Sequence, residues 1–152
     1  MIKPIQQNTK MNYKINAKKI HQHANAFYLA SERNLEERPN GDGTVQVLSI
    51  PGIVNCAFAC ELYLKSLLMV HGYQSRGHSI ESLFRKLPDE IISQIIKEIE
   101  GYKFENCLSN ISNTFVDWRY SYEKESTLIT FQTFLLKLTE SLKTHSAIRL
   151  SE

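Results

Sequence analysis

The stretch Gly52-Ile53-Val54-Asn55-Cys56-Ala57-Phe58-Ala59-Cys60-Glu61-Leu62-Tyr63-Leu64-Lys65-Ser66-Leu67-Leu68-Met69-Val70 decides the fold. Wound as a helix, it is apolar on nearly every side, through Ile53, Val54, Phe58, Leu62, Leu64, Leu67, Leu68 and Val70. Such a helix belongs either in the middle of a bundle or in a membrane. Asn55, Glu61 and Lys65 would be costly in hydrocarbon. A buried central helix is therefore expected, with no membrane association. Pro51 suits its first turn, and Gly72 ends it just after His71.

On the amino-terminal side, Asn16 can cap a helix running to about Leu35, with Ile20, Ala24, Phe27, Ser31 and Leu35 recurring near helical spacing. The run Arg38-Pro39-Asn40-Gly41-Asp42-Gly43-Thr44 is rich in chain-turning residues and predicts a long loop. Its Asn40-x-Asp42-Gly43 resembles part of a calcium loop. The first and last ligand positions would fall on Arg38 and Ser49, neither of which supplies a carboxylate, so no metal site is expected.

Beyond the central helix, Gly77-His78-Ser79 opens a short helix holding Ile80, Leu83, Phe84 and Leu87, with Ser79 as N-cap. Pro88 begins another, carrying Ile91, Ile92, Ile95, Ile96 and Ile99 and stopped by Gly101. A stripe of Phe104, Cys107, Leu108, Ile111, Phe115, Trp118 and Tyr122 follows. A last helix, from about Leu128 to His145, carries Phe131, Phe134, Leu135, Leu138 and Leu142. Thr44 to Ile50 is the only β-prone run, and it is isolated. The expected fold is all-α: an antiparallel four-helix-bundle core with short accessory helices. Residues 1–14 are expected as a flexible arm, 15–146 as a single helical domain and 147–152 as a tail.

A chain of 152 residues with 42% hydrophobic and 22% charged content can bury a core and is unlike a disordered polymer. A formal net charge of +2 is too small for a protein that coats DNA by charge alone. Cys56, Cys60 and Cys107 are an odd set, with two of them inside the apolar helix, and read as buried free thiols. Residues 1–19 carry lysines without the apolar core of a signal peptide, so a cytoplasmic location is expected.

Polar groups in apolar company are the candidate functional residues. Glu61 and Lys65 lie four apart on the central helix, so they are either paired in the interior or shape the wall of a cleft. Arg119 falls at the border of the stripe made by Leu108 and Phe115, with Glu123 one turn further and Trp118 and Tyr120 beside it. An arginine there can hold a phosphate in bidentate fashion while the aromatic rings stack on bases, or it can cross to Glu61 and lock two helices. His78 either caps the short helix or lines the same groove. His21 and His23 are two apart on a helix and point to different faces, which argues against a metal.

Cys60-Glu61-Leu62-Tyr63-Leu64-Lys65-Ser66-Leu67-Leu68, then Gly77-His78-Ser79-Ile80 with Leu83-Phe84 and Leu87, then Trp118-Arg119-Tyr120, together resemble HEPN domains. The resemblance covers roughly residues 50–125. It implies an antiparallel helical bundle, often dimeric, associated with RNA cleavage, nucleotide binding, toxin–antitoxin pairs or phage defence. Active relatives pair an arginine with a histidine separated by four to six residues and cut RNA without a metal. Carry-over assigns the arginine to Arg119, but positions 124, 125 and 126 are Lys124, Glu125 and Ser126, so the partner histidine is missing.

A histidine suits proton transfer near neutral pH, so its loss bears directly on activity. The resulting expectation is a divergent HEPN domain that binds RNA, a nucleotide or a protein partner through Glu61, Lys65, Trp118, Arg119 and Tyr120, without a cofactor. The alternative is a metal-independent ribonuclease using Arg119 with Glu123 or His78. A third reading is a helical interaction module, with Tyr120 and Phe131 serving a homodimer or a partner such as an antitoxin or a nucleotidyltransferase.

Overall fold

A computed structural model of the chain describes residues 7–112 and 129–152. In order these form α1 (Gln7–Asn34), β1 (Arg38–Pro39), β2 (Val45–Gln46), α2 (Ser49–Val70), α3 (Ile80–Arg85), α4 (Asp89–Glu98), α5 (Phe104–Ile111) and α6 (Ile129–Ser151). Among the described residues the fold is all-α apart from one antiparallel hairpin pairing Arg38 with Gln46 and Pro39 with Val45.

The central position of α2 is as expected. Ile53, Cys56, Ala59, Cys60, Tyr63, Leu64, Leu67 and Leu68 are all buried, and they occupy more than one side of the helix. By length and composition α2 could cross a membrane, but its apolar surface is spent on packing against α1 and α6. Its carboxyl end is a Schellman turn: Tyr73 N–H donates to Leu68 O and Gly72 N–H to Met69 O, both at 3.0 Å. That turn needs a left-handed residue, and Gly72 supplies it with φ of 76°.

Ser79 caps α3, its Oγ accepting from Ser82 N–H at 3.2 Å. Ile91, Ile95 and Ile99 of the α4 region are buried, whereas Ile96 is exposed. The stripe beginning at Phe104 is buried at Cys107, Leu108 and Ile111, and its continuation through Phe115, Trp118 and Tyr122 lies outside the described residues.

Two boundaries and the pairing of the β-prone run differ from the expectation. α1 begins at Gln7, so residues 7–14, expected as an arm, are helical and Asn16 is a mid-helix surface residue. No Pro or Gly interrupts residues 7–15, and the helix-compatible residues there outweigh the local cap signal of one asparagine. α6 runs to Ser151 rather than stopping near His145, so the expected tail is helical as well. The isolated β-prone run finds a partner across the Gly41 and Gly43 turn, where Asp42 accepts hydrogen bonds from the Thr44 backbone and hydroxyl. Phe131, expected among exposed aromatics, is half-buried and packs against the core.

The long helices α1, α2 and α6 share a seam of small hydroxyls. Ser66 Oγ donates to Ala17 O at 2.8 Å, and Ser146 Oγ donates to Ser66 Oγ at 3.2 Å. Both serine protons are then used, so His21 Nδ1, 2.8 Å from Ser146 Oγ, must be the donor at the end of the chain. Burial first, and then the charge of Lys143, lower the His21 pKa below 6.5. His71 is lowered mainly by burial. Tyr63 closes the interface from α2, its hydroxyl donating to Asn25 Oδ1 at 2.6 Å.

Leu67→Ala is expected to cost about 2–5 kcal/mol in urea unfolding, as a fully buried leucine leaves a cavity, while Leu29→Ala, at an exposed site, should cost far less. The sign of the pH effect follows from the lowered histidines. Their protons bind the unfolded chain more tightly, so stability is full above pH 6.5 and falls as pH drops through that value towards the folded pKa values. The urea midpoint should therefore fall with acidification below pH 6.5, and fall less in His21→Gln, which keeps a donor but cannot titrate.

Candidate functional site

Glu61 lies on the deeply packed part of α2, with 5% of its side chain exposed. A carboxylate so placed needs cations and donors. Lys65, one turn on, brings Nζ to 2.9 Å from Glu61 Oε1. The imidazole of His78 reaches the same oxygen through Nδ1 at 2.8 Å.

His78 is delivered by the turn between α2 and α3. Gly77 adopts φ of 99°, which lets the chain reverse immediately before the histidine. Immediately after it, the start of α3 is fastened to the end of α5: Ser79 Oγ lies 2.7 Å from Ser112 Oγ, and Ile80 N–H donates to Ser112 O at 3.3 Å. The imidazole is thus held by Glu61, while the two residues that follow it, Ser79 and Ile80, are held by Ser112.

The side chain of His78 is nevertheless 86% exposed. A carboxylate on Nδ1 selects the neutral tautomer with its proton on that nitrogen, leaving Nε2 as an acceptor towards solvent. When protonated, the same ring presents an Nε2–H donor. With Lys65 beside it, the cluster carries one carboxylate and either one or two cations, so a phosphate oxygen can be received there once the imidazole is charged. Neutral, the ring can take a proton from a hydroxyl group.

The sequence-derived set is therefore partly assembled. Glu61, Lys65 and His78 meet at one carboxylate oxygen, and Glu61 pairs with both neighbours. His78 does not cap α3, since Ser79 does. Trp118, Arg119, Tyr120 and Glu123 lie outside the described residues. Among the described residues no group of three or more His, Cys, Asp or Glu side chains could hold a metal. The cysteines are buried, and burial pushes the Cys56 thiol up to about 11 and raises Cys60 and Cys107 as well, away from thiolate chemistry.

Two features escaped the sequence reading. One is a second carboxylate–histidine contact, His145 Nε2 to Glu98 Oε1 at 2.9 Å, supported by Ser141 Oγ donating to Glu98 Oε2. His145 is only 10% exposed, so this contact joins α4 to α6. The other is a row of α1 lysines, whose spacing of four was legible once residues 7–14 are read as helix.

A family model described as the HEPN domain matches residues 52–148, from the first turns of α2 to near the end of α6, and includes Glu61, Lys65 and His78. No curated protein and no solved structure matches the chain.

In nitrogen-edited NMR spectra the neutral ring of His78 should carry its proton on Nδ1, and Glu61→Gln should shift that population towards the Nε2–H tautomer. An unchanged tautomer ratio in Glu61→Gln would contradict the contact. Lys65→Met should destabilise the fold by about 1–3 kcal/mol in urea unfolding, because it removes one partner of a buried carboxylate.

Proposed function

The chain belongs to the HEPN domain family, and from that premise we propose that it engages RNA or a nucleotide at the face carrying Glu61, Lys65 and His78. The observation that carries this reading is the imidazole fixed on a buried carboxylate with its second nitrogen turned to solvent and a lysine alongside. Phosphate recognition needs an exposed donor whose geometry is fixed beforehand, and the protonated ring of His78 presents one in its Nε2–H.

On this reading Arg119 supplies a further phosphate contact and Tyr120 a stacking surface, as the family resemblance suggests. The protein is a divergent member without the Arg-x4–6-His pair, acting in the cytoplasm as a homodimer. Its setting is prokaryotic defence or a toxin–antitoxin pair, in which an antitoxin or a nucleotidyltransferase would be the protein partner.

A second reading, metal-independent RNA cleavage, is favoured by the same carboxylate-held imidazole. Neutral His78 would take the 2′-hydroxyl proton, the 2′-oxygen would attack the adjacent phosphorus, and the bond to the 5′-oxygen would break as a proton returns to that oxygen. Arg119 would stabilise the charge on phosphorus.

One experiment separates these readings: incubation of the purified protein with a mixed RNA pool, with and without EDTA, beside His78→Ala and Arg119→Ala. For the binding reading, RNA stays intact, and both variants lose affinity in a mobility-shift assay by about tenfold or more, the scale of a lost charge-assisted contact. EDTA-resistant cleavage abolished by His78→Ala would install the nuclease reading instead. Unchanged binding in both folded variants would overturn the proposal.

A further inference from the structure

From Gln7 to Ser31, α1 contains no aspartate or glutamate, yet it carries Lys10, Lys14, Lys18 and Lys19. Lys10, Lys14 and Lys18 form an exposed row along one side, rising about 6 Å from one to the next. None of the three makes an ion pair or hydrogen bond among the described residues.

Local energetics do not account for this row. Like charges four apart on a helix repel, and cations near a helix amino end oppose its dipole. The carboxyl end of α2, which lies beside Lys10 and Lys14, already closes its carbonyls through its own Schellman turn. A helix selected for stability alone would interleave glutamates. The charge is therefore directed outward.

The surface on either side of the row is concave. One cavity, of about 530 Å³, is lined by Lys10, Tyr13, Lys14, His71 and Arg149 among others, and His71 Nε2 is buried there without a partner. A second, of about 560 Å³, is lined by Lys14, Lys18, His21, Gln22 and Leu150. Lys14 borders both. Glu152, bound to Arg149 at 3.3 Å, is the one carboxylate side chain lining either cavity, against four cationic side chains.

We propose that this lysine row, with the concavities on its two sides, binds the phosphodiester backbone of single-stranded RNA as a second site, separate from the cluster around Glu61. The inference rests on the RNA-handling reading. The backbone tracks Lys10, Lys14 and Lys18, and the bases turn into the two concavities, one of which offers the Tyr13 ring and the other the apolar Leu150. Unpaired bases can rotate into such hollows, whereas duplex bases are held in their stack. α1 also lies outside the region matched by the family, residues 52–148, so the row is a feature of this chain beyond the shared domain.

The test is fluorescence anisotropy with a labelled single-stranded oligouridine over a series of salt concentrations. The proteins are the full chain, the triple variant Lys10→Gln/Lys14→Gln/Lys18→Gln, and His78→Ala. Glutamine keeps helix propensity and these side chains are exposed, so far-UV circular dichroism should be unchanged. Losing three phosphate contacts should reduce the slope of log affinity against log salt by about 2 and weaken low-salt binding about tenfold or more. His78→Ala should keep the part of the slope that the lysines supply.

An unchanged slope and affinity in the folded triple variant would overturn the inference, while leaving the Glu61 cluster to stand on the His78→Ala result. Equal competition by polyglutamate or by phosphatidylserine vesicles would also overturn it, because the row would then be reading charge without the nucleic-acid strand.

Discussion

Glu61 stands on α2, the most apolar of the described helices, at a depth where water reaches 5% of its side chain. A carboxylate there is tolerable only if cations and donors come to it. Lys65 does so from the same helix, at the spacing that any helix provides. His78 does so from a different segment, and this second partner has larger consequences. It fixes the turn between α2 and α3, and that turn carries the cap of α3 and the contact with Ser112 at the end of α5. One buried oxygen thereby organises the side of the bundle on which the candidate site lies.

The opposite requirement operates between α1, α2 and α6. Close approach of three long helices favours small side chains, and here several of them are hydroxyls, which need partners in turn. The chain from His21 through Ser146 and Ser66 to Ala17 O satisfies both serines and leaves a single assignment of protons. Leucine packing alone would allow these helices to slide by a turn. The polar seam makes such a slip costly, because every displaced hydroxyl would be left unpaired. Cys56, donating to Thr139 at 3.4 Å, extends the pattern toward the middle of α6.

Much of this was legible in the sequence because it is local. The all-round apolar α2, Gly72 at its end and Ser79 at the start of α3 act through neighbours a few positions away. The start of α1 was not legible: residues 7–14 are polar and present little apolar stripe, so periodicity was silent where propensity was sufficient. That silence concealed the lysine row. The Glu61–Lys65 pair could be read from its spacing, but the Glu61–His78 contact spans 17 positions and depends on how the chain returns after α2. Separation in sequence gives no sign of it. The missing histidine after Arg119 was readable by resemblance, whereas the presentation of His78 by a buried carboxylate emerged only in three dimensions.

On the proposed function, the carboxylate-held, solvent-facing imidazole of His78 is where this HEPN domain meets a phosphate. His145 provides an internal control, since it too is bound to a carboxylate but is nearly buried. The most direct measurement is NMR of the histidine ring resonances during titration with a short single-stranded RNA. Saturable shifts are expected at His78, with His145 unmoved. RNA binding that leaves the His78 resonances in place, or moves both rings alike, would contradict it.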